Sequence, residues 1–167
     1  MKKQIFIVRG VSNSGKTHTV NYIADQIVLS YMRKQFSSVY YAKLKITIEV
    51  LWGTVKCGEL MCVITIEFKG VKITIGICTA GDFAEETAKR VENLVSYGCD
   101  IIICACKGVE GKHDKVYNAI LAVAQDYEAV PLTTDHLKEE PDSIVKTKVA
   151  DPILEQTYKA VDAFLKL

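Results

Sequence analysis

Residues 10–19 read GVSNSGKTHT, one position after the apolar run QIFIV at 4–8. Gly10, four intervening residues and then Gly15-Lys16-Thr17 make a G-x-x-x-x-G-K-[ST] spacing without gaps. Glycine adopts positive φ without strain and lets the backbone approach a ligand with no Cβ in the way, and both tasks are expected of Gly10 and Gly15. The N–H groups of Val11, Ser12, Asn13, Ser14 and Gly15 would then converge on one concavity. The first helical turn, at Lys16, Thr17 and His18, would continue it with N–H groups and the positive end of the helix dipole, which is the physical recipe for an anion site. The plainer alternative is a glycine-containing turn that only redirects the chain.

Context favours the anion site. QIFIV is the kind of short apolar run that forms a strand buried on both faces. From Thr17 onward Val20, Ile23, Ala24, Ile27 and Tyr31 follow i, i+3, i+4, i+7 and i+11, one stripe of a helix that can lie on a sheet. Strand, glycine loop and helix in this order resemble the P-loop, or Walker A, segment of the P-loop NTPase superfamily. The resemblance implies ATP or GTP as ligand and Mg²⁺ as cofactor. It places Lys16 between the β- and γ-phosphates and the hydroxyl of Thr17 on the metal.

At 167 residues, 49% hydrophobic and 25% charged, with a net charge of +1, the chain has the dimensions of one globular domain, expected to span 1–167. The near-zero charge gives no nucleic-acid signal. No run of 18 apolar residues and no signal-peptide anatomy is present, so no membrane partner is expected and the expected location is cytoplasmic. The six cysteines show no C-x-x-C pairing. Cys104 and Cys106 alternate with Ala105 in an apolar run, which fits buried thiols better than disulfides or metal ligands.

Beyond the first helix the period changes to two. KLKITIEVLW sets Leu44, Ile46, Ile48 and Val50 against Lys45, Thr47 and Glu49, the pattern of a half-buried strand. CVITIEF and VKITIGIC meet at Lys69-Gly70, too close for anything but an antiparallel hairpin. The second of these strands runs into CTAGDFAEE at 78–86. There the chain resembles the small GTPases, in which a hairpin also follows the first helix and ends in D-T-A-G and a catalytic glutamine. Thr79-Ala80-Gly81 match that turn, Cys78 stands in place of the aspartate and Asp82 in place of the glutamine. The resemblance implies that the Gly81 N–H senses the γ-phosphate, and that Asp82 acts catalytically with Lys16, orienting water or holding Mg²⁺ through water beside Thr17. Asp82 and Glu85 also have capping-box spacing, ahead of the stripe Ala84, Thr87, Ala88, Val91 and Val95. Asp100, at the amino end of its strand, is expected far from the loop, and Glu49 and Glu67 are the remaining strand acids.

The N-K-x-D motif on which guanine specificity rests in that family is absent, which favours ATP over GTP. Val116, Ile120, Val123, Ala124 and Tyr127 form a third stripe, and AVPLTT a last strand. A terminal helix should start at Asp151-Pro152, Asp as cap and Pro first inside, with Ile153, Leu154, Thr157, Val161, Phe164 and Leu165 inward. The polar stretch 135–148 is expected to be a solvated loop near the site. The alternation predicts a three-layer α/β/α sandwich, its sheet mainly parallel with an antiparallel edge hairpin, the P-loop NTPase fold. Loops 10–17, 79–82, 107–113 and 133–138 would surround the nucleotide, with Lys107, Lys112 and His113 within reach. Three functions fit: a nucleoside triphosphatase, a small-molecule or nucleotide kinase, and a protein that binds nucleotide without turnover.

Overall fold

In the computed structural model, residues 1–11, 14–54, 59–108, 114–134 and 146–167 are described. The chain is an α/β structure. Its strands are β1 (Gln4–Gly10), β2 (Lys45–Thr54), β3 (Glu59–Phe68), β4 (Val71–Cys78), β5 (Ile101–Lys107) and β6 (Glu128–Thr133). Its helices are α1 (Lys16–Ser37), α2 (Ala84–Tyr97), α3 (Lys115–Val123) and α4 (Asp151–Leu165), with a 3₁₀ segment at Val39–Lys43 and a π-type turn at Lys146–Ala150.

The six strands form one sheet in the order β2-β3-β4-β5-β1-β6. β4, β5, β1 and β6 are parallel, while β3 runs antiparallel to both its neighbours. The β3–β4 hairpin turns at Lys69-Gly70 as expected; both residues have positive φ, 52° and 81°, the twist a two-residue hairpin needs. β1, in the middle of the parallel part, has β5 on one side and β6 on the other, and the next helices after those neighbours, α3 and α4, pack on opposite faces of the sheet.

The continuous apolar runs follow from burial on both faces. In β5, Ile101, Ile103 and Ala105 pack with α1 and α4, whereas Ile102, Cys104 and Cys106 pack with α2 and α3. Helix α1 sends Val20, Ile23, Ile27 and Tyr31 into the first of these cores. Helices α1 and α4 are tied by Tyr31 and Lys34, which both donate to the Asp162 carboxylate at 3.0 Å.

Four local expectations are corrected. Helix α2 begins at Ala84 with Phe83 at the cap position and no side-chain cap bond, so the Asp82–Glu85 capping box does not form. Two acids, Glu85 and Glu86, fall in the first turn, where the helix dipole favours them without a cap. In α4 the cap position is Ala150 and Asp151 is inside the first turn, because the preceding π-type turn feeds directly into the helix. Phe164 is exposed while its neighbour Leu165 is buried. Finally, Ile48 and Val50 are 50% and 54% exposed, since β2 is the sheet edge and the helical layer over that face does not cover it. A bulge between Val50 and Trp52 then turns the strand, and the Trp52 ring lies over Arg90 of α2 at 4.0 Å.

Among the described residues no helix is long and apolar enough to cross a membrane. Most of the 135–148 stretch lies outside the described residues, and its end, from Lys146, belongs to the π-type turn.

Candidate functional site

The loop after β1 enters α1 through Gly15, which has φ 82° and ψ 12°, a left-handed conformation that a side chain would strain. Among the described residues no side chain caps α1, and no acid lies in its first turn, so the positive end of its dipole is not neutralised from within the helix. Gly10 serves differently from expectation. It is the last residue of β1 and is not among the positive-φ glycines; a Cβ there would sit 2.2 Å from both Ser14 Oγ and Thr134 Oγ1. Those two hydroxyls meet at 2.7 Å, and Thr134 also bonds the Arg9 carbonyl through its N–H at 2.8 Å and its hydroxyl at 3.1 Å. Glycine at position 10 thus lets the two ends of the loop be laced to the segment after β6.

Lys16 is buried, and its ammonium donates to the Val11 carbonyl at 2.7 Å, folding back over the loop it follows. It also lies near the end of β5: burial pushes the Cys106 thiol up to about 11, and the charges of Arg9 and Lys16 oppose that rise. The Thr17 hydroxyl donates to the Thr79 carbonyl at 3.1 Å, which joins the start of α1 to the segment that leaves β4. Thr79 is held in turn by β3, its N–H donating to Leu60 O at 3.0 Å and its hydroxyl accepting from Leu60 N–H at 2.8 Å. Ser12 and Asn13 lie outside the described residues, as do Lys112 and His113. His18 is exposed on the first turn of α1, and Lys107 is exposed at the end of β5.

The 79–82 segment reaches this region by crossing the end of β5, the strand that separates β4 from β1. Gly81 makes the crossing possible: its carbonyl accepts the Lys107 N–H at 2.7 Å, and a Cβ on it would lie 2.1 Å from Ala105 O. Glycine is therefore required there by backbone packing, whatever else its N–H does. Asp82 follows and is exposed. Cys78 is wholly buried in the core beneath α2, its Sγ 3.4 Å from the Ala80 carbonyl, and burial pushes its thiol up to about 11. A carboxylate in that apolar position would be costly.

Among the described residues no group of three or more histidines, cysteines or acids is placed to hold a metal ion. Asp100 instead joins β4 to the amino end of β5, its Oδ2 accepting from the Thr74 N–H and hydroxyl at 2.9 Å each. Glu49 accepts a hydrogen bond from Tyr97, and Glu67 lies 3.9 Å from Lys45 at the sheet edge.

Arg9 is the residue that pattern reading missed. Its side chain is buried, paired with Asp114 at the start of α3 and stacked on Tyr117 at 4.2 Å, while its Nε has no partner among the described residues. The available signal was a full charge inside the apolar β1 run, immediately before Gly10. Comparison with family models, with curated proteins and with solved structures finds no match for this chain.

Proposed function

We propose that this chain binds a nucleoside triphosphate with Mg²⁺ in the manner of the P-loop NTPases and hydrolyses it, with ATP favoured over GTP. The observation that carries the reading is the state of Lys16. A buried ammonium at the start of an uncapped helix, turned onto a carbonyl of its own glycine-bounded loop, is a cation held where phosphate oxygens would replace that carbonyl. The loop backbone from Gly10 to Gly15 would cradle the phosphates, with Lys16, Thr17 and His18 beginning the helix behind them.

Mg²⁺ dehydrates reluctantly and takes most of its ligands from water and phosphate, so it asks little of the protein. The Thr17 hydroxyl would supply one ligand on leaving the Thr79 carbonyl, and Asp82 would act through water. The Gly81 N–H would face the γ-phosphate. Asp82 is exposed, which suits a residue that must reach both solvent and phosphate. When bound, the metal would supply charge neutralisation at the phosphates, and the chain would supply position and the Lys16 charge.

A second reading, phosphoryl transfer to a small acceptor, is supported by a groove beside α1 described below. The buried Cys78 supports a third, in which nucleotide is held without turnover. Phosphate release from ATP and GTP, with Mg²⁺ and with EDTA, separates them. Mg²⁺-dependent release that falls at least tenfold in Thr17→Ala supports hydrolysis, whereas bound nucleotide that stays intact supports the third reading.

A further inference from the structure

On the face shared by β2 and β3, Ile64 and Cys62 are buried in the core with α1 while Ile48 and Val50 at the edge are half exposed, and the space between α1 and this edge is a cavity of about 480 Å³. One wall is the sheet, with Ile48, Val50, Leu60 and Ile64; the other is α1, where His18, Asn21 and Asp25 stand beside the largely apolar Tyr22, Ala24 and Val28. These three polar residues recur at i, i+3 and i+7, so one stripe of the helix faces one apolar patch of the sheet. The volume is that of a site for a single small molecule, with many apolar contacts and a few polar groups to orient it.

The cavity adjoins the loop already described. His18 is the residue after Thr17, and Leu60 is bonded to Thr79, whose carbonyl accepts from the Thr17 hydroxyl. The groove therefore begins on the β4 side of the loop, away from the Arg9–Asp114 pair on the β6 side. Among the described residues its lining has no lysine or arginine, and Asp25 is the one carboxylate. An anionic ligand would find no lysine or arginine among these lining residues to neutralise it. A planar amide and a carboxylate on one wall match the donors and acceptors of a base edge and of sugar hydroxyls, and the aliphatic wall opposite matches the flat face of a ring.

We propose that this groove is the acceptor site of a phosphoryl transfer and takes an uncharged, ring-bearing, hydroxylated molecule of the nucleoside class. The inference rests on the nucleotide binding proposed above and takes its second reading, transfer to an acceptor hydroxyl in place of water. In the step, an acceptor hydroxyl oxygen forms a bond to the γ-phosphorus as the bond from that phosphorus to the β,γ-bridging oxygen breaks. The hydroxyl proton passes to solvent, and the nucleoside diphosphate leaves with the bonding pair.

The test incubates the whole chain with Mg²⁺, γ-labelled ATP and adenosine, guanosine, cytidine, uridine or thymidine in turn, with the corresponding monophosphates in parallel. Nucleoside binding without ATP is measured by calorimetry. Ile48→Glu adds a charge to the sheet wall at a half-exposed position, and Ile48→Val is the conservative control. The expected result is label on at least one nucleoside and on no monophosphate, lost at least tenfold in Ile48→Glu and kept in Ile48→Val, with ATP-induced thermal stabilisation unchanged. Label on no nucleoside, or equal label in Ile48→Glu, overturns the proposal, as does a wild-type dimer that Ile48→Glu dissociates without any nucleoside binding. Absence of ATP stabilisation in the wild type overturns the nucleotide reading instead, and with it the transfer; the calorimetry then shows whether the groove binds nucleosides on its own.

Discussion

Strands β5 and β2 are built from the same kind of residue and meet opposite fates. Ile101, Ile102 and Ile103 of β5 are completely buried, because α1 and α4 cover one face of the sheet there and α2 and α3 the other. Ile48 and Val50 of β2 stand half exposed at the edge, where α1 faces them across an open groove instead of packing onto them. A strand's apolar pattern says which side chains share a face; whether that face is covered depends on where the helices end. The covered centre holds the strand ends that carry the loop, and the uncovered edge leaves a groove beside it.

The sharpest way to break this comparison is to truncate one isoleucine in each region. Ile103→Ala leaves a cavity in a close-packed core and should cost about 2–5 kcal/mol of unfolding free energy. Ile48→Ala removes a side chain that is already half in water and should cost under about 1 kcal/mol. Urea denaturation of both variants checks this, and equal losses would mean that the edge is as well covered as the centre.

A second distinction is chemical. Burial raises Cys78 and Cys106 to about 11, and Cys62 and Cys99 to about 12, from an ordinary 9.0. A folded state that holds its thiol protons more tightly than the unfolded chain is stabilised fully below about pH 9. That contribution is lost as the pH rises from there through 11 and 12. Chemical denaturation midpoints should accordingly be level near neutrality and fall above pH 9. In the native state at pH 8, Cys62, Cys78, Cys99, Cys104 and Cys106 should resist an aromatic disulfide reagent and become reactive on unfolding. Rapid native labelling at these positions, mapped by peptide mass, would contradict their burial.

The smallest expected effect on stability is at Asp82. Since Phe83 occupies the cap position of α2, Asp82→Ala and Asp82→Asn should melt within about 0.5 kcal/mol of the wild type and of each other. Under the proposed role at the phosphates both should lose turnover at least tenfold while nucleotide still binds. Wild-type turnover in Asp82→Asn would remove the charge from the mechanism.

The sequence made the centre of the molecule legible and left the margins open. The strand at QIFIV and the helical stripe from Val20 to Tyr31 could be read because one is a short apolar run and the other keeps a single period, with glycines between them. The Lys69-Gly70 hairpin could be read because its connection is too short for anything else. The exposure of Ile48 and Val50 could not, since nothing in an alternating run tells how far a distant helix extends. Nor could the bulge that turns Trp52 onto Arg90. The start of α2 moved past Asp82 because the chain spends residues 79–83 crossing the end of β5, a tertiary requirement visible only in the contact between Gly81 and Ala105. At Gly10 the fold calls for a glycine for a reason the pattern did not contain, because the hydroxyls it makes room for, Ser14 and Thr134, come together only in the folded chain.

The central claim is that the Lys16 ammonium serves a bound phosphate, and thermal unfolding of wild type and Lys16→Ala with millimolar ATP or GTP and Mg²⁺ tests it most directly. A ligand that binds only the folded state raises its midpoint by mass action. The wild type should gain several degrees with nucleotide. Lys16→Ala should keep an apo midpoint close to that of the wild type and lose most of the nucleotide-dependent gain. A wild type that shows no shift with either nucleotide, or a variant that shifts as much as the wild type, would contradict the claim.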